Sequence, residues 1–140
     1  MCGADGSIDG TIVKLRRVFY VFDDEPDCTR GPLEVTYDDG RVEFFDAGAD
    51  GQTLRIGRTS WVDPFTEPLS TANVEYIRTH GKWLAFDVTK EGKYNPIVGQ
   101  RVLCRELIHQ HGACVGVMLH ADHCTLSVRV EFDELIVELL

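Results

Sequence analysis

This sequence predicts a mainly β, or β-dominated α+β, single domain: an antiparallel sheet, a sandwich or a partly open barrel, ending in a four-strand meander. Three observations carry that expectation. Segment after segment alternates apolar and polar residues, the period of two that sends successive side chains to opposite faces of a sheet. The chain has 140 residues, 44% of them hydrophobic, which suffices for one packed core. No internal repeat and no Pro-, Gly- or Ser-rich linker separates a second domain from the first.

Residues 1–10 carry Gly and Asp at alternating intervals and predict a disordered start to a domain spanning 1–140. Thr11 to Phe22 follows with the β-branched and aromatic residues of a long first strand. Asp23, Asp24, Glu25, Pro26 and Asp27 break it, because proline cannot donate to a ladder and neighbouring carboxylates repel one another and seek water. An exposed acidic loop is expected there. Leu33 to Tyr37 and Val42 to Phe44 alternate around Asp39-Gly40, the signal of a type I′ hairpin. Ala47 to Gly51 reads as a loop and Thr53 to Arg58 as the next strand. Trp61 to Leu69 combines two prolines with two large aromatics, which predicts an ordered loop held by its rings. Ser70 to His80 suits a helix or a strand. Trp83 to Val88 predicts a short strand, bounded by Gly81 and the turn-rich Lys90 to Pro96. Ile97 to Ile108, Cys114 to Leu119, Thr125 to Phe132 and Leu135 to Leu140 form the meander. Its buried face is expected to hold Val115, Val117 and Leu119 with Leu126, Val128, Val130 and Phe132.

Charge narrows the choice of partner. The formal net charge is −9, and residues 1–70 hold 14 acidic against 7 basic side chains while residues 71–140 hold 9 against 7. Phosphate backbones would be repelled, so nucleic acid is not expected as a partner. No apolar run approaches the roughly 18 residues of a membrane-spanning helix, and the N-terminus lacks the basic and apolar parts of a secretory signal. A cytoplasmic protein without a membrane partner is expected. Cys2, Cys28, Cys104, Cys114 and Cys124 are odd in number and irregularly spaced, as reduced thiols in a reducing compartment would be.

The sharpest hint of catalytic or metal chemistry is His109, His111 and Cys114 followed by His120, His123 and Cys124, since imidazole and thiolate are zinc ligands. Spacing argues against one shared site. A strand from Cys114 to Leu119 holds the two groups roughly 20 Å apart at about 3.3 Å per residue, whereas ligands sit within about 2.3 Å of the metal. Polar hairpin-end histidines are the simpler reading, and no metal or other cofactor is expected. Nucleophilic catalysis by His111 with Cys114, or by His123 with Cys124, lacks a supporting oxyanion-hole motif. The Asp23 to Asp27 run lacks the alternation and distal glutamate of a calcium loop. A non-enzymatic role is therefore expected, with a metal-dependent or Cys/His enzyme using the 109–124 turns as the rival.

Gly81-Lys82-Trp83, Asp87-Val88-Thr89, Ile97-Val98-Gly99-Gln100 and Asp133-Glu134-Leu135, in that order, resemble small, uncharacterised bacterial β-rich proteins of the immunity kind, found beside polymorphic toxins. The resemblance covers the second half of the chain. It implies a cytoplasmic inhibitor that occludes a toxin without catalysis or cofactor, and it carries over no functional residues. The residues themselves supply a binding surface. Asp23, Asp24, Glu25 and Asp27 would steer a basic protein, such as a toxin domain, and Trp61, Asp63, Phe65 and Glu67 would anchor it. A third expectation is a subunit of a larger complex, or a homo-oligomer, paired through the apolar C-terminal strand Leu135 to Leu140.

Overall fold

The computed structural model describes residues 10–28, 31–65 and 68–140. Among them, ten strands make one antiparallel sheet, with one α-helix and one 3-10 turn. The mainly β architecture predicted from alternation is thus present, and the sheet does not close into a barrel.

Strand β1 (Gly10–Phe22) organises the sheet by changing neighbours along its length. Its first two residues pair with β7 (Arg101–Gln110), and Ile12 to Arg17 pair with β3 (Leu33–Tyr37). Beyond that, Arg16 to Val21 pair with β6 (Lys82–Asp87) and Tyr20 to Phe22 with β2 (Glu25–Asp27). A register shift between Ile12 and Lys14 interrupts the alternation and turns Val13 to solvent. One flank continues through β4 (Val42–Ala47) and β5 (Leu54–Gly57). The other runs from β7 through β8 (Ala113–Ala121), β9 (Thr125–Glu131) and β10 (Glu134–Leu139), the expected meander.

The two flanks fold over each other, with β4 against β9 and β10 and β5 against β8. Leu33, Val35 and Phe45 from one flank thereby share a core with Val117, Leu119, Leu126, Val128 and Val137 from the other. Each such side chain contributes roughly 1.5–3 kcal/mol by leaving water. Arg17, only 1% exposed, bridges the seam: its guanidinium donates to Tyr94 Oη at 3.0 Å, Gly31 O at 3.1 Å and Leu135 O at 3.4 Å.

Several local expectations need correction. The acidic loop is the tip of a hairpin, because Glu25–Asp27 forms β2; only Asp23 and Asp24 lie in the turn. Asp39-Gly40 is not a type I′ turn. Only Gly40 has positive φ (90°), and its N–H returns to Tyr37 O at 3.0 Å, so Asp38 and Asp39 form the turn and Gly40 the bulge. The positive φ pairs that a type I′ turn requires occur instead at Asp23-Asp24, His111-Gly112 and Phe132-Asp133. Phe132, expected in the core, is 91% exposed because the turn takes it out of β9. Ile97 belongs to a 3-10 turn (Asn95–Ile97) rather than to the following strand. The expected disordered start does not reach Gly10, which is a buried strand residue paired with Val102; residues 1–9 lie outside the described residues. Cys104 is disulfide-bonded, against the expectation of free thiols throughout; Cys28, Cys114 and Cys124 are free.

The ambiguous segment is a helix, α1 (Thr71–His80). Caps decide it: Ser70 Oγ accepts the Asn73 N–H at 3.1 Å, and Gly81, at φ 77°, stops the helix with its N–H on Ile77 O at 2.7 Å. None of its residues is buried, so it lies on the surface of the sheet.

Candidate functional site

The second half of β1 is the centre of a three-stranded ribbon, β2–β1–β6. Its register sets Asp27 opposite Tyr20 and Tyr20 opposite Trp83, then Glu25 opposite Phe22. Residues directly opposite, and those two apart on one strand, share a face. One face of the ribbon therefore carries two carboxylates, Glu25 and Asp27, beside three rings, Phe22, Tyr20 and Trp83. Phe22 is 49% and Trp83 40% exposed, and Trp83 packs edge-on against Tyr20 with centroids 5.3 Å apart. Asp23 and Asp24 extend the acidic end into solvent, and neither they nor Glu25 form an ion pair within the described residues. At the end of helix α1, His80 O accepts from the Tyr20 hydroxyl.

The aromatic loop is built differently. Trp61 is half-buried, and its backbone is clamped by Arg16 and Glu34. Glu34 accepts from Arg16 Nε at 2.6 Å, Arg16 Nη2 at 2.7 Å, Ser60 Oγ at 2.8 Å and Trp61 N–H at 2.7 Å. Arg16 Nη2 also donates to Trp61 O at 3.0 Å. Burial works against the Glu34 charge, yet the bonds from Arg16, Trp61 and Ser60 outweigh it and hold the carboxyl below its ordinary range. The bond to Glu34 raises Arg16 in turn.

Asp63 is matched internally. It forms an ion pair with Lys82 and accepts the Phe65 N–H at 2.9 Å. Burial opposes its charge, but these two contacts leave the carboxyl lowered. Lys82 directly precedes Trp83 in β6 and by alternation points to the reverse face, where its ammonium lies 5.3 Å from the Phe65 centroid. Phe65 then packs on Tyr76 at 6.0 Å and Tyr76 on His80 at 4.8 Å. Trp61, Asp63 and Phe65 thus fasten the loop to the sheet and helix, and Glu67 lies outside the described residues. The exposed rings that accompany the acidic hairpin are Phe22 and Trp83. Sequence reasoning missed Phe22 because it ends an apolar strand and nothing local tells whether its neighbours cover it.

The His/Cys residues do not converge. Among the described residues no group of three or more His, Cys, Asp or Glu is placed to hold a metal. His109 and His111 are exposed at the β7–β8 turn, and Cys114 Sγ donates to Gly116 O at 3.4 Å. His120 has both ring nitrogens engaged, Nδ1 with Thr125 Oγ1 at 3.0 Å and Nε2 with Glu106 Oε1 at 2.9 Å. His123 N–H donates to Gln100 Oε1 at 2.8 Å, and Gln100 Nε2 donates to Cys124 Sγ at 3.5 Å. Burial pushes the Cys124 thiol up, away from the thiolate that nucleophilic attack needs. Beyond these contacts, no helix among the described residues is long and apolar enough to cross a membrane. Comparison with known proteins finds no family model, no curated protein and no solved structure that matches the chain.

Proposed function

We propose that this chain is a non-enzymatic protein-binding module, an immunity-type inhibitor that covers a basic surface on a toxin or effector domain. The observation that carries the reading is the ribbon face on which Glu25 and Asp27 flank the exposed rings of Phe22 and Trp83, with Asp23 and Asp24 at its tip. Carboxylates attract a basic partner over a distance, and the rings are desolvated once contact is made. The charge of −9 supports the same sign of partner. Free Cys28, Cys114 and Cys124 accord with action in the cytoplasm, and the Cys104 disulfide counts against it.

The test is first to read the gene beside this one for a toxin-like product, and then to measure binding to that product; a neighbourhood of metabolic enzymes would count against inhibition. Replacing Asp23, Asp24, Glu25 and Asp27 by Asn or Gln is expected to slow association, an effect that fades with salt because the Debye length is about 8 Å at physiological ionic strength and shorter above it. Trp83→Ala or Phe22→Ala is expected to speed dissociation, with a loss of about 2 kcal/mol for a central anchor. Salt-independent association together with unchanged dissociation in the ring variants would sink this assignment of the surface.

A further inference from the structure

Three connections meet at a second place that shares no residue with the acidic ribbon. A cleft of about 360 Å³ lies between the 50–53 loop, the β7–β8 turn and the β9–β10 turn. Val115 and Val130 give it an apolar lining, His111 and Phe132 its turn residues, and Asp50 and Glu131 its carboxylates. The arrangement is held together: Asp133 N–H donates to Gly51 O at 2.9 Å, and Gly51, at φ 68°, sits so close that a Cβ would collide with the Asp133 carboxylate.

Phe132 is the feature that the fold leaves unexplained. Its φ is 50°, the left-handed region that bulky side chains avoid, in a two-residue turn that Asn-Gly would fill without strain. Its ring is 91% exposed, so burial does not offset that strain. Backbone strain without a compensating contact inside the molecule is characteristic of groups kept for an external one.

Asp50 supplies the charge. Its Oδ1 accepts from Gln52 N–H at 2.9 Å, Thr53 N–H at 3.0 Å and Thr53 Oγ1 at 2.9 Å, which lowers the carboxyl and keeps it ionised. No donor among the described residues engages Oδ2. Among the described residues Glu131 is met only by Arg129, at 3.9 Å, and Arg129 is shared with Glu138. An anion would be repelled here, and a purely apolar ligand would leave the carboxylates unused.

We propose that this cleft binds a compact organic cation on an apolar stem, an alkylguanidinium or alkylammonium group, with the Phe132 ring against the cation and Asp50 as its counter-charge. An aromatic face attracts such a cation, and the volume falls at the small end of ligand clefts. The cation belongs either to a free amine or to an Arg or Lys side chain of a polypeptide.

The experiment is an amide-detected NMR titration of the full chain with butylguanidinium and butylammonium, against butylurea and butyrate as neutral and anionic controls, and with N-acetyl-arginine amide. The cations are expected to shift the amides of residues 50–53, 110–112 and 131–133 saturably, and the controls to leave them in place. Tighter binding of the capped arginine than of butylguanidinium identifies a polypeptide side chain as the source, and the reverse order a free amine. Phe132→Asn, which suits left-handed φ, is expected to raise the melting temperature while weakening the cations by roughly tenfold. Asp50→Asn retains the Oδ1 acceptor and is expected to weaken them by about fivefold or more. Shifts equal to those of butylurea, absence of saturation, or unchanged cation affinity in Phe132→Asn would overturn the proposal.

Discussion

Glu34 holds together two strands and a loop through one carboxylate. Its side chain is 3% exposed and bonded to Arg16, Ser60 and Trp61 N–H. Glu34→Ala strands a half-buried guanidinium and a backbone donor, and is expected to cost about 3–5 kcal/mol in urea unfolding. The acid dependence follows from the lowered carboxyl. Above the unfolded-state value of about 4.3 the stabilisation is fully present, and it is lost as pH falls through the lower folded value. Melts between neutral and acid pH should therefore show a shallower acid limb in Glu34→Gln than in the parent. Tyr37 titrates at the other extreme. Burial pushes its hydroxyl up to about 12, where it donates to Glu43 Oε1 at 2.6 Å. The unfolded chain releases that proton near pH 10, so stability should decline between about pH 10 and the folded value of about 12. Tyr37→Phe should remove that decline.

At the scale of elements, caps and turns act where burial cannot. Helix α1 has no buried residue, so the Ser70 cap carries an unusual share of its stability. Ser70→Ala is expected to cost about 1 kcal/mol, read as faster hydrogen exchange confined to 73–77 rather than as global unfolding. Gly81 ends the helix and admits β1, because a Cβ there would strike Val21 O while the backbone holds φ 77°. Gly81→Ala is expected to destabilise by more than about 2 kcal/mol, since left-handed strain adds to a backbone clash. The β1–β2 turn offers the opposite case. Asp23→Asn with Asp24→Gly places the preferred type I′ pair on the existing positive φ values, and should stabilise the hairpin while removing two steering charges.

For the whole molecule, the seam of the folded sheet is closed by a side chain instead of a strand. Arg17 reaches Gly31, Leu135 and Tyr94 from β1 and lies 5.0 Å from the Phe19 ring, with no carboxylate partner among the described residues. Only a planar fork meets three acceptors in different directions. Arg17→Lys should therefore cost roughly 1–3 kcal/mol in equilibrium unfolding and quicken amide exchange in β10 beyond the change in β9. Equal protection in both strands would show that the seam is closed by apolar packing alone.

Alternation and turn chemistry are local, so the β class, the meander and the strand at Trp83 were legible in the sequence; each depends on residues a few positions apart. Ser70 to His80 stayed undecided because its apolar residues fit both periods, and the Ser70 and Gly81 caps that settle it are local signals that apolar spacing does not register. Pairing is not local. Which strand lies beside β1 depends on the register shift after Ile12 and on loops whose length costs little entropy to vary, so neither the β2–β1–β6 ribbon nor the Arg16–Glu34 clamp could be read from composition. The acidic run announced a charged surface by itself. Its coupling to Phe22 and Trp83, and the meeting of Asp50 with Phe132, arise because the folded sheet brings together segments far apart in the chain. Within regular stretches the sequence specified which residues share a strand face; the tertiary structure set the register shifts and selected the neighbours, since a side chain's exposure is a property of what packs against it.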